Sequence, residues 1–269
     1  MLSSIIKTVV FIAAFNAIEH FAHEQTDGFS LRRVQFHSPL QSGKTEYLPE
    51  LNQPFHYLGC GNQCYAFVSE DGQYVLKLFK YASSPVPFAM TQIPLLNHFK
   101  PFKPNRYAKV LWKRERDFRG YELASNRFKE ETGILTTHLT PTDHAYPTIT
   151  LYDKLHCRLT LNLNEAPFVL QKRATPVYSQ IQAWISAGKI DVAKEALHNL
   201  KLLLKKRISL GLLDDDVHFY SNFGFVGTTP IQVDPGHFTV GITPDPDLEI
   251  ATKSRELTTW CQKNAPELL

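Results

Sequence analysis

The sequence predicts an α+β protein of two lobes, an antiparallel-sheet N-lobe with one main helix and a reduced, mostly helical C-lobe. Three observations lead there. A strand-rich block from about Phe55 to Phe79 holds a glycine-rich turn and then Asp71-Gly72, a strong hairpin signal between apolar runs. A helical pattern from about Lys109 to Thr132 stops at Gly133. Beyond Lys189, Ala193, Ala196, Leu197, Leu200, Leu203 and Leu204 recur at helical spacing.

The composition permits this architecture. A chain of 269 residues with 43% hydrophobic and 20% charged residues can bury two modest cores. A net charge of +3 is too small to argue for nucleic acid, and no nucleic-acid partner is expected. The cysteines Cys60, Cys64, Cys157 and Cys261 form neither a CxxC pair nor a zinc spacing. A disulfide framework is not expected in a chain this large, which favours a cytoplasmic or membrane-associated location over a secreted one.

Residues 1–22 form a hydrophobic N-terminal segment, read as a signal, an anchor or a buried helix. Its apolar run, Thr8 to Ile18, is shorter than the about 20 residues a spanning helix needs. Residues 23–50, with Gly28, Pro39, Gly43 and Pro49, read as a connecting region. The N-lobe is assigned to 51–174, with a proline-rich insertion at 81–107 that forbids one long helix. It contains strands Tyr65–Val68, Tyr74–Phe79, Thr148–Lys154 and Arg158–Leu163, and the apolar run Phe168–Gln171. The segment holding Lys100, Lys103, Arg106, Lys109, Lys113, Arg114, Arg116 and Arg119 is read first as a solvated basic face, with phosphate, an anionic lipid surface or an acidic partner as the alternative.

The C-lobe is assigned to 175–269. Lys205, Lys206 and Arg207 crowd the end of its first helix, where cations suit the helix dipole. Short strands bracket a loop from Leu212 to Phe238, and one final helix is expected from about Asp247 to Gln262, packing Leu248, Ile250, Leu257 and Trp260.

Two constellations carry chemistry. In the first, Gly59-Cys60-Gly61 turns between two strands, and Lys77 ends the strand after the next. Closely spaced glycines let backbone N–H groups approach phosphate, and an ammonium framed by apolar residues supplies charge for the same oxygens. A turn between two strands excludes the Rossmann and Walker fingerprints, which join a strand to a helix. The second runs Asp214-Asp215-Asp216-Val217-His218, then Asn222, then Asp234-Pro235-Gly236 after the apolar frame of Ile231 and Val233. Carboxylates and an amide oxygen are hard ligands suited to Mg²⁺. No second histidine stands at ligand spacing from His218, which argues against a transition metal.

The order of these parts resembles the protein-kinase-like superfamily, in an atypical, truncated form. Gly59-Cys60-Gly61-Asn62-Gln63-Cys64 resembles the GxGxxG phosphate loop, with Cys64 for the third glycine. Val75-Leu76-Lys77 resembles the end of the VAIK strand. The resemblance implies a glutamate partner for Lys77, Glu122 or in reserve Glu115, and a hinge around Gln171 and Arg173 that holds adenine. It implies Asp216, or else Asp214, as catalytic base, and Asn222 and Asp234 as metal ligands. ATP and Mg²⁺ are the implied cofactors. The implied activity is phosphoryl transfer to a hydroxyl of a protein or sugar-type acceptor, possible membrane association coming through the N-terminus. The alternative is an inactive pseudokinase that binds nucleotide or a partner. Two departures support it: no His-Arg or His-Gly precedes the aspartates, and only 33 residues follow Gly236.

Overall fold

A computed structural model describes residues 2–36, 40–44, 46–80, 104–243 and 245–268. Along the chain lie α1 (Leu2–Thr26), β1 (Gln41–Ser42), β2 (Phe55–Cys60), β3 (Cys64–Ser69), β4 (Tyr74–Phe79), α2 (Pro104–Arg127) and α3 (Lys129–Thr132). There follow β5 (Ile134–His138), β6 (Thr142–Asp143), β7 (Thr148–Tyr152), β8 (Arg158–Asn162), β9 (Phe168–Lys172), β10 (Thr175–Pro176), α4 (Val177–Ser186) and α5 (Ile190–Ser209). The chain closes with β11 (Leu212–Asp214), β12 (Phe223–Val226), β13 (Thr229–Gln232), β14 (Phe238–Val240), α6 (Pro246–Lys253) and α7 (Arg255–Asn264). The protein is α+β, with mainly antiparallel sheet. Most of the proline-rich insertion, with Lys100 and Lys103, lies outside the described residues.

The chain divides into two compact units. The first takes in the described residues of Met1–Ser83 and His138–Phe168, and the second those of Ser84–Thr137 and Val169–Leu269.

In the first unit the strands run in the order β4-β3-β2-β7-β8. All neighbours are antiparallel except β2 and β7, which are parallel. Alternation puts Tyr65, Phe67, Leu76 and Leu78 on one face, each at most 1% exposed. Asp71 closes the β3–β4 turn, accepting from Gln73 N (2.9 Å) and Ser69 Oγ (2.6 Å). Residues 27–34 do more than connect. Phe29 is buried edge-on to Tyr65 and Phe67, with centroids 5.1 Å away. Tyr57 donates to Asp27 (2.6 Å) and Tyr65 to Gly28 O (2.8 Å), and Lys154 pairs with Asp27 at 3.0 Å. These hydrogen bonds, Tyr57's first and then Lys154's, hold the Asp27 carboxyl below the usual carboxylate range.

On α1, Val10, Phe11, Phe15, Ile18 and Phe21 are exposed. No helix among the described residues is long and apolar enough to cross a membrane.

In the second unit, α2 buries Asp117, Gly120, Tyr121 and Ala124, three residues apart in most steps, and Phe128 is buried just beyond its end. Gly133 ends the α2–α3 pair at φ +65, a left-handed conformation that glycine takes at little cost. The helix α5 matches its expected span. The helix α4, not expected from the sequence, buries Val177, Tyr178, Ile181 and Trp184. The expected final helix is two, α6 and α7, meeting at the buried Ser254. Leu248 is 63% exposed rather than packed, whereas Trp260 stacks on Tyr178 with centroids 4.6 Å apart.

Arg207 stands in the last turn of α5, as expected, and is a buried cation there. It is 1% exposed, and its guanidinium donates to Asp214 (3.3 Å) and Gln232 (3.0 Å), with the Phe238 ring 5.9 Å away. The reason is tertiary: β11 delivers a buried carboxylate seven residues later, and an unpaired buried charge is costly.

Candidate functional site

The first constellation lies wholly in the first unit. Register lines up Gly59, Ala66 and Lys77 as direct neighbours across β2, β3 and β4. These three therefore share one sheet face, and all are partly exposed. A methyl group added at Gly59 would meet nothing within 4 Å, and at Gly61 only Cys64 O at 3.8 Å. Gly59 and Ala66 thus present little side chain beside Lys77 on this face. Gly61 N is engaged by Cys64 O at 2.9 Å, so Gly61 contributes its missing side chain rather than its amide.

The second constellation lies wholly in the second unit, at the open end of the β12–β13 hairpin. The last rung pairs Phe223 with Gln232. One step further, Val233 N donates to Asn222 O at 2.8 Å. Asn222 thus enters the hairpin as Asp234 leaves it. Asp234 Oδ1 accepts from Tyr121 OH and from Gly236 N, both at 3.2 Å. Asn222 Oδ1 accepts from Ser221 Oγ (2.7 Å), and its Nδ2 donates to Asp216 O (2.6 Å) and Asp216 Oδ2 (3.3 Å).

The three consecutive aspartates have separate roles. Asp214 is buried against Arg207 and accepts from Gln232 Nε2 at 2.5 Å and Asp216 N at 2.9 Å. Burial pushes its carboxyl up, against the Arg207 charge. Asp215 is 86% exposed at the side chain, 3.1 Å from His237 Nδ1. Asp216, at 40%, is open to solvent and flanked by His218 (3.3 Å) and His237 (3.9 Å). Of the two base candidates, Asp216 is the solvent-accessible one.

The resemblance's remaining residues are placed as follows. Glu122 and Glu115 are exposed on α2, and the helix's buried acid is Asp117. Burial pushes the Asp117 carboxyl up, opposed by Arg116, which donates to it at 2.8 Å. Gln171 is buried, its side chain donating to Thr132 O, while Arg173 is exposed. Lys172 N is engaged by Gly133 O at 2.8 Å.

Sequence reasoning missed Asp117, Gly120, Tyr121 and His237. The spacing of 117, 120, 121 and 124 marks one helix face and was the available signal. Gly120 lacks a side chain for a steric reason. A methyl group there would meet Pro235 O at 2.5 Å, Gly236 O at 2.6 Å and Gly236 C at 2.7 Å. All three are backbone atoms of the turn that carries Asp234. Gly→Ala inside an exposed helix normally stabilises by about 1 kcal/mol. Gly120→Ala should reverse that sign and destabilise by about 1–3 kcal/mol through overpacking, read as a lower urea midpoint. A midpoint at or above the parent's would refute this close approach.

The amide of Asn222 and the carboxylate of Asp234 are donors a hard cation accepts. Mg²⁺ is commonly held by one or two protein oxygens, with substrate phosphates and water completing its shell, so this sparse set fits it. Among the described residues no group of three or more His, Cys, Asp or Glu is arranged to hold a metal alone.

Compared with known proteins, the chain matches no family model, and no curated protein is significantly similar to it.

Proposed function

We propose that this chain transfers a phosphoryl group from ATP to a hydroxyl acceptor, as a reduced two-lobed relative of the protein-kinase-like superfamily. The observation that carries the reading is the hairpin closure at Asn222 and Val233, which brings an amide oxygen and the Asp234 carboxylate to one end, with Asp216 bonded to the same asparagine. The small residues Gly59 and Ala66 beside Lys77 give it independent support.

In this mechanism Lys77 neutralises phosphate oxygens, and the glycine turn lets the nucleotide approach its backbone. The peptide groups around Gln171 and Arg173 hold adenine, and Glu122, or Glu115, orients the Lys77 amine. Asn222 and Asp234 would hold Mg²⁺, which when bound would neutralise negative charge on the nucleotide's phosphates. Asp216 accepts the proton of the attacking hydroxyl. Tyr121 fixes the Asp234 rotamer through its hydrogen bond. Catalysis of this type is mostly positioning and charge stabilisation, so few side chains suffice. The acceptor is a protein or a sugar-type molecule.

The pseudokinase reading draws on the same residues: Asp216 is already tied to Asn222 and flanked by histidines, as in a cluster that serves structure alone. Binding and turnover separate the two. Saturating MgATP should raise the melting temperature of the parent, about 2.7 kcal/mol of stabilisation at a hundredfold excess over Kd. Lys77→Ala and Asp234→Ala should each remove that shift. A parent that does not respond to millimolar MgATP would end the nucleotide reading.

A further inference from the structure

The register that places Lys77 on one sheet face places Cys60 and Lys80 together on the other. Cys60 is opposite Tyr65, and Tyr65 is opposite Leu78. Lys80 lies two residues beyond Leu78, and its backbone N donates to Gln63 O at 2.8 Å, extending the ladder to the turn. Its ammonium donates to Cys60 Sγ at 3.0 Å and to Gly61 O at 2.6 Å, and lies 4.7 Å from the centre of the Tyr65 ring. Cys60 is exposed. A thiol and an amine thus stand in contact at the solvent end of the core face, held by strand pairing, carbonyl and ring.

The other cysteines differ. Cys157 is equally exposed, but its turn is organised around the Asp153 carboxylate, which accepts from Cys157 N at 2.9 Å. Cys64 is half-buried, and Cys261 is buried, which pushes its thiol up. Reactive cysteines are accessible and have a cationic neighbour, because the thiolate is the nucleophile. Cys60 alone among the four combines exposure with such a neighbour in the contacts above.

We propose that Cys60 and Lys80 form a peroxide-sensitive modification site in which the two side chains become covalently joined. The Cys60 sulfur attacks hydrogen peroxide, breaking the O–O bond, and becomes a sulfenic acid as one water leaves. The Lys80 amine, having given its extra proton to water, attacks that sulfur. An S–N bond forms, the S–O bond breaks, and a second water leaves. The protein loses two protons and two electrons, which is two hydrogen atoms in mass, and peroxide is reduced to two waters. A thiol reductant reverses the link by attacking sulfur and releasing the amine. The link would pin the glycine turn to the end of β4. Its formation does not depend on the proposed phosphoryl transfer.

The test is graded hydrogen peroxide on the folded full chain, followed by intact mass and peptide mapping, with a sulfenic-acid trap in parallel. The parent should lose two hydrogens in mass, with the cross-link mapped to Cys60 and Lys80 and reversed by dithiothreitol. Lys80→Arg keeps the cation but not the amine nucleophile. It should leave Cys60 reactive, abolish the cross-link and yield trappable sulfenic acid instead. Cys60→Ser should abolish both products at this position. Oxidation of Cys157 before Cys60 would overturn the proposal, as would a parent whose Cys60 is fully trapped with Lys80 unmodified.

Discussion

Replacing Arg207 with Met should cost the second unit about 3–5 kcal/mol of stability, the range for stranding one partner of a buried ion pair. Both side chains are 1% exposed. Methionine keeps an unbranched apolar stem near the Phe238 ring, so the loss reports charge rather than volume. It strips Asp214 of the cation that opposes its desolvation, leaving Gln232 and Asp216 N as partners. The pH dependence follows. Asp214 already has its carboxyl raised by burial, and the substitution raises it further above its unfolded value. A raised carboxyl means that the folded state binds more protons, so stability falls as pH rises from the unfolded value toward the folded one. The deficit should therefore be smaller near pH ~4, close to the unfolded carboxylate value, than at neutrality. Adding Asp214→Asn, which keeps an acceptor for Asp216 N, should recover much of the loss. A double-mutant cycle in urea measures the coupling. A deficit under about 1 kcal/mol, in the range of ordinary substitutions, would mean that the pair does not hold this unit together.

Asp216→Asn should lower phosphoryl transfer by about 10²–10⁴-fold, the usual contribution of a positioned general base, while leaving the MgATP-induced melting shift intact. The amide matches the carboxylate in shape, and the Asn222 contact to Asp216 O is a backbone one that survives. Loss of rate with binding retained identifies Asp216 as the proton acceptor. Equal rates in parent and variant would move the base elsewhere. A parent with no turnover, yet a shift that needs Lys77 and Asp234, would be the pseudokinase outcome.

Local signals made much of this chain legible. The β3–β4 hairpin follows from Asp71-Gly72 between alternating apolar runs, and α5 follows from the spacing of its leucines and alanines. Gly133 ends a helix because the left-handed conformation is cheap only without a side chain. For the candidate site, sequence neighbours were enough to set Lys77 on a strand and Asn222, Asp234 and the glycine pair at strand ends and turns.

Residue order alone was enough for the α+β class and for the hairpins and helices with strong periodicity. Which of the consecutive aspartates is buried and which is open had to come from the folded chain, because that depends on Arg207 and Gln232 arriving from other elements. The same holds for Asp117, Gly120 and Tyr121 backing the Asp234 turn, and for Cys60 meeting Lys80 rather than Cys64. Burial and pairing are set by residues distant in sequence, and a one-dimensional pattern carries periodicity but not the identity of the partner across the gap.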